Sequence, residues 1–207
     1  MKDKAWYPIV YMFIVTAVFS SVLIGLSRMT RERVEANAQI AFEKAVLNVL
    51  PSPDLKGLPS SKIHERYAAL IQPGDTASGG ALRYVQDGKL LTYALPFEGR
   101  GFWATIKGVI GIQTDKHTIT GISFYEQSET PGLGAEIVKP QFCDQFVGKK
   151  VSASGEPINI MTKAEGMPST PSEVEAVTGA TQTSTRLERM LNASLSAWRD
   201  AVAKEEQ

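Results

Sequence analysis

Cysteine occurs once in these 207 residues, at Cys143, and histidine twice, at His64 and His117. A single thiol builds neither an intramolecular disulfide framework nor a multi-cysteine zinc or iron–sulfur site. The two histidines lie far apart and lack helical or hairpin ligand spacing, so the pattern predicts two solvated surface residues and no metal site. Surplus charge is also missing: Lys plus Arg and Asp plus Glu each total 22, giving a formal net charge of zero. No basic field is available to recruit nucleic acid. Neither GxxxxGK[ST] nor GxGxxG follows a strand pattern, which argues against a P-loop hydrolase or a Rossmann dinucleotide site. There is no internal repeat, no low-complexity tract, no heptad run, and no nucleophile–histidine–acid constellation that would support hydrolysis.

Charge is absent from one stretch in particular. From Ala5 to Ser27 the chain reads AWYPIVYMFIVTAVFSSVLIGLS, which as a helix would span roughly 30 Å, the thickness of bilayer hydrocarbon. Trp6 and Tyr7 fall where an interfacial aromatic belt would lie, and Lys2, Lys4, Arg28, Arg31 and Arg33 fence the ends. A cleaved signal peptide would have a shorter apolar core followed by small residues, whereas SRMTRERVE follows here. We therefore expect an uncleaved anchor over residues 1–29. Basic residues on the two flanks are similar in number and slightly favour the C-terminal side as cytoplasmic.

Beyond the anchor, Val34, Ala38, Ala41, Phe42, Ala45 and Val49 recur at helical spacing until Pro51, predicting an amphipathic linking helix over 30–50. PSPDLKGLPSSK reads as a loop, and a short helix is expected around Ile63 to Leu70. ALRYVQDGKLLTYALPF holds Asp87-Gly88 between two alternating apolar runs, a hairpin signal. GFWATIKGVIGIQTDKHTITGISFYEQ offers further strands with a turn at Asp115 to His117, so the middle of the chain predicts antiparallel sheet. KPQFCDQFV suggests one or two helical turns with Phe142, Cys143 and Phe146 sharing a face, Cys143 serving as a small buried hydrophobe. PINIMTK suggests a strand ending near Lys163. Leu187, Met190, Leu191, Leu195, Trp198 and Val202 mark a long amphipathic helix, with Thr185 and Glu188 fitting a capping box at its start. The expected fold is α+β: an antiparallel sheet flanked by helices, preceded by one transmembrane helix, with residues 51–207 as the soluble domain.

Ahead of that last helix stands VTGATQTST, residues 177–185. Its hydroxyls suit a helix cap. The same geometry suits a phosphate, because a helix N-terminus presents unpaired N–H groups and partial positive charge. Gly179 allows close backbone approach, Ala180 adds almost no bulk, and the flanking hydroxyls can donate hydrogen bonds. Both readings stand on residue chemistry alone.

TGAT preceded by an acidic residue, near the C-terminus of an anchored domain, resembles the flavinylation motif of the FMN-binding domain family. GFWATIKGVIGI followed by ITGISFYEQSETPGLGAEI resembles that family's sheet and its E-T-P-G-L-G loop. The family's motif aspartate is filled here by Glu175, which keeps the charge and adds one methylene. The resemblance implies FMN joined through its phosphate to the hydroxyl of Thr181, placed there by a separate flavin transferase. It further implies that Thr178, Gly179 and Ala180 border the phosphate and that Thr183 and Ser184 supply donors at the helix start. Glu129, Thr130, Gly132 and Leu133 would approach the ring, with Leu133 on its face; Trp103 would offer a second apolar surface, and Lys163 a cation near the pocket. As plain chemistry the same residues are a turn, a cap, a core aromatic and a strand-end lysine. The implied function is electron relay on the outer side of the cytoplasmic membrane, with membrane subunits of an Rnf or NADH:quinone reductase type complex as partners. The chain length leans to the first complex and FWATIKG to the second. No NADH site is evident, so the chain alone should show little activity. The competing expectations are a flavin-free assembly subunit and a stand-alone extracytoplasmic flavin reductase.

Overall fold

The computed structural model describes residues 6–152, 155–162 and 164–205. It divides into two compact units, residues 1–39 and 40–207. The first unit holds most of helix α1 (Trp6–Asn48), whose apolar stretch is long enough to cross a membrane and is wholly exposed along its most apolar window. Ile9, Phe13, Phe19, Leu23 and Leu26 all project from it. Such a surface is stable only in an apolar surrounding.

The second unit opens with the last turns of α1, because Ala45, Val46 and Leu47 are already core residues. After a 3-10 turn at Pro53–Leu55 come α2 (Ser60–Leu70) and β1 (Ile71–Gln72). An antiparallel meander in the order β1-β2-β3-β4-β5 follows, with β2 at Leu82–Gln86, β3 at Lys89–Arg100, β4 at Thr105–Gln113 and β5 at Ile119–Glu126. Asp87 and Gly88, at φ 51° and 73°, make the two-residue turn between β2 and β3, the left-handed pair that matches strand twist. Strand alternation separates two cores. Tyr93, Leu95, Phe97, Ile106, Ile110 and Ile112 face one side, whereas Ala94 and Val109 face the other.

Helix α4 (Thr181–Glu205) covers the first face with Leu187, Met190, Leu191, Leu195, Trp198 and Val202. Those are the positions expected from 3.6-residue periodicity. The end of α1 and α2 cover the second face. Gly111 and Gly121 are cross-strand partners there, and a Cβ on Gly111 would strike the Val49 carbonyl. The chain leaving α1 thus lies directly on backbone, held also by the Thr120 hydroxyl donating to Val49 O at 2.6 Å. The sheet is sandwiched by helices, and the α+β expectation holds.

Four local differences from the expectation are physical. Helix α2 begins at Ser60, inside the stretch read as loop. A parallel pair, β6 (Asn159–Met161) with β7 (Glu173–Glu175), joins segments separated by a long loop; three-residue strands are too short to show alternation. Trp103 is not in a strand: it sits in the bend between β3 and β4 and is 63% exposed. Helix α4 starts four residues before the capping box, and the Glu188 carboxylate instead accepts the Ile160 N–H at 2.5 Å. Helix α3 (Pro140–Cys143) and the turn after it behave as expected: Phe142 and Phe146 are buried edge to face at 5.4 Å, and Cys143 is half-buried.

Candidate functional site

Three segments meet at the start of α4. The first is the approach from β7. The Glu175 N–H donates to Gln145 Oε1 at 2.7 Å, the Gln145 side-chain amide donates back to Glu175 O at 3.3 Å, and the Ala176 N–H donates to Met161 O at 2.7 Å. Past that clamp the Ala180 N–H bonds to Val177 O, closing a turn that Gly179 enters at φ 78°. This left-handed conformation is costly for a residue with a Cβ. The Val177 N–H then donates to the buried Ser184 hydroxyl at 3.2 Å, and α4 begins at Thr181, which is exposed.

The second segment is the ETPGLG loop. The Leu133 and Ala135 N–H groups both donate to Thr130 O at 3.1 Å, and Gly132 has φ 76°. The loop is thereby a compact turn that pushes Leu133 outward, 43% exposed. The third is the β3–β4 bend, where Phe102 and Trp103 pack edge to face at 5.0 Å. The Trp103 indole N–H donates to the Thr130 hydroxyl at 3.0 Å, so bend and loop are tied together.

Between them lies a cavity of about 290 Å³ lined by Phe102, Leu133, Thr130, Gly179, Thr181 and Gln182, among others. A second hollow of about 300 Å³ is lined by Thr162, Ala164, Val177 and Thr178, among others. Gly179 and Thr181 border both. The first hollow has apolar walls and a hydroxyl at its helix-start edge. It can take a flat aromatic body joined to an anionic group, since the first N–H groups of α4 have no intrahelical partner and the helix end carries partial positive charge.

Among the expected site residues, Gly179, Ala180, Thr181, Thr183, Glu129, Thr130 and Leu133 share the first cavity. Thr178 lines the second. Gly132 sits in the ETPGLG turn and Trp103 stands beside Phe102, both adjoining the cavity without lining it. Ser184 is fully buried and holds Val177. Lys163 lies outside the described residues. Thr183 is 4% exposed and its hydroxyl donates to Glu129 Oε2 at 2.7 Å, so it is engaged within the protein. Phe102, Gly134 and Gln182 also line the cavity; adjacency to Trp103 and the second glycine of the loop motif were the signals for the first two, and nothing marked Gln182. Cys143 is remote from this chemistry: its thiol donates to Ile137 O at 3.3 Å, and burial, with Asp144 beside it, pushes it up to about 12. Among the described residues no cluster of three or more His, Cys, Asp or Glu side chains is arranged to hold a metal.

Residues 101–196, which run from the β3–β4 bend through the ETPGLG loop into α4, match the model of the FMN-binding domain family. The particular proteins the chain resembles are the NqrC components of Na(+)-translocating NADH-quinone reductases. The chain is 29% identical over 211 aligned positions to that component from Vibrio vulnificus, covering 81% of this chain and 80% of that protein. It is 34% identical over 134 positions to the corresponding protein of Vibrio alginolyticus, covering 60% and 52%. The crystal structure of the counterpart from Parabacteroides distasonis superposes with a TM-score of 0.67 at 28% identity, covering 84% of this chain and 96% of that one. The NqrC structure from Shewanella oneidensis gives 0.52 at 25% identity, covering 65% and 70%.

Proposed function

We propose that this chain is the FMN-carrying, single-pass subunit of a membrane-bound NADH:quinone reductase type complex, with its flavin held through a phosphoester to Thr181. The observation that carries the reading is the position of Thr181: an exposed hydroxyl at the first residue of α4, beside Gly179 and at the edge of the hollow walled by Phe102 and Leu133. The residues fit the group. Leu133 and Phe102 suit a flat aromatic ring, and the bare helix start suits a phosphate. In maturation, the Thr181 oxygen would attack the flavin-side phosphorus of FAD with the help of a flavin transferase. The new P–O bond replaces the pyrophosphate link, AMP departs, and the hydroxyl proton passes to solvent. The protein does not modify itself. Bound FMN supplies one- and two-electron transfer. This chain's own residues tether it, shield its faces and set its polar surroundings.

The named relatives all belong to the sodium-translocating quinone reductase, which favours that complex over the Rnf type. In this reading residues 1–29 form the anchor and the rest of α1 leads into an extracytoplasmic domain that takes in residues 40–50 as well as 51–207, with other membrane subunits as partners and a covalent link that keeps the cofactor from diffusing away.

The test is intact mass and in-gel flavin fluorescence of the full chain from a host that expresses the flavin transferase, beside Thr181→Ala. We expect the mass of one FMN less water, and fluorescence, both lost in the variant. An unmodified wild-type mass, with the transferase active on a known substrate, would overturn the covalent reading; a native protein that is also colourless would leave a flavin-free assembly subunit.

A further inference from the structure

Glu129 borders the cavity beside Thr181, and its carboxylate is bonded within the protein. The residue is 5% exposed, and both carboxylate oxygens are engaged. Oε1 accepts the backbone N–H of Trp103 at 3.1 Å, and Oε2 accepts the hydroxyl of Thr183 at 2.7 Å. Its own N–H is fixed by the Gln127 side chain at 2.6 Å. Burying a carboxylate is costly unless hydrogen bonds hold the charged form, so these two contacts specify where the group can sit.

Two glycines from different segments are shaped around it. A Cβ on Gly101 would fall 2.5 Å from Glu129 Oε1, and one on Gly134 would fall 2.5 Å from Thr183 Oγ1 and 2.9 Å from Glu129 Oε2. The cradle therefore belongs to the β3–β4 bend, the ETPGLG loop and the first turn of α4 together. Those are the three walls of the cavity beside Thr181. Remove the carboxylate, and the side-chain link from the backbone of the bend to α4 through this point is lost, while the Thr183 hydroxyl is left buried without its acceptor.

We propose that Glu129 is a positioning residue: a buried carboxylate brace that fixes the spacing between Trp103 and the acceptor helix, so that the flavin pocket exists before the flavin arrives. The brace itself is a property of the folded chain; its consequence for the cofactor rests on the reading of Thr181 as the FMN site. Pre-forming the walls removes an ordering cost that would otherwise fall on cofactor binding.

The experiment uses the full-length chain in detergent. Hydrogen exchange is first measured without flavin, in the Thr181→Ala background, for Glu129→Ala, Glu129→Gln and, as a control, Asn192→Ala, a buried side chain further along α4 that bonds Ile158 N and O at 2.9 and 2.8 Å. Glu129→Ala should expose the Trp103 amide and the first turn of α4 to exchange at least tenfold faster. Glu129→Gln should largely restore protection, because its amide oxygen can still accept from Trp103 and its NH₂ can donate to Thr183 Oγ1. Asn192→Ala should speed exchange near Ile158 and leave Trp103 unchanged. The same substitutions are then made with Thr181 intact and transferase present. There Glu129→Ala should raise flavin fluorescence at least twofold and lower its anisotropy, with the glutamine variant close to wild type. Unchanged Trp103 exchange in Glu129→Ala, or equal loss in the glutamine and alanine variants, would overturn the brace. Altered exchange with no flavin on any variant or on wild type would refute the FMN reading and leave the brace standing.

Discussion

Gly179 is the most exacting position in the turn that enters α4, and Gly179→Ala tests why. At φ 78° a residue with a Cβ suffers a strain of about 1–2 kcal/mol. Alanine also restricts the unfolded chain, which returns about 0.4–1 kcal/mol. The new methyl would lie 3.2 Å from Leu133 Cδ2, tighter than ordinary contact, but Leu133 is exposed enough to yield. The net expectation is a loss of about 1 kcal/mol, or a fall of about 2–4 °C in Tm for a domain of this size. The functional loss should be larger than the loss of stability, because the methyl points at the Leu133 wall of the cavity. Gly179→Asn separates the two effects: asparagine tolerates the left-handed region, so stability should recover while flavin attachment, read by intact mass, stays low. Thermal unfolding in detergent followed by circular dichroism supplies the stability scale. An alanine variant as stable as wild type and fully modified would refute both the strain argument and the placement of the cavity.

Two further outcomes rest on titration. The Cys143 thiol, held near 12 chiefly by burial and next by Asp144, stays protonated at neutral pH, so maleimide labelling at pH 7 should be negligible in the folded protein and complete in denaturant; rapid labelling of the native chain would contradict its place against Ile137. Glu188 is raised above its ordinary value, first by desolvation, against the Ile160 hydrogen bond, with Glu156 and Glu165 adding to the rise. Its folded state binds a proton more readily than the unfolded chain, so its contribution to stability grows as pH falls through the folded pKa towards 4.5 and is lost as pH rises. Comparing denaturation midpoints of wild type and Glu188→Gln across that window isolates this residue, and a difference that does not vary with pH would remove it as a linked group.

Where local chemistry and tertiary packing agree, the sequence was readable. Asp87-Gly88 demands a primed turn wherever it stands between alternating strands, and the six apolar positions of α4 have one face to bury. Where long-range partners decide, it was not. TQTSTR has poor helical propensity, yet it is helical because Ser184 captures Val177, Thr183 is seated on Glu129 from a distant loop, and Gly179 turns the chain into the helix. Glu188 looks like a capping-box partner until Ile160 arrives from β6. The motif residues announced the site, but motif membership could not tell Thr181, which faces outward, from Thr183 and Glu129, which bond each other beneath it.

The last turn of α1 also sets where a soluble fragment can begin. Glu43, Ala45, Val46, Leu47, Val49 and Leu50 are buried beneath the sheet, and the Val49 carbonyl rests against Gly111. Cutting the chain at the end of the apolar stretch leaves this plug in place; cutting at the proline-rich loop after Leu50 removes it and leaves only α2 and its flanking turns on that face of the sheet. Preparation of the water-soluble part therefore has to start upstream of Ile40, within the helix, at a boundary that secondary structure alone does not mark.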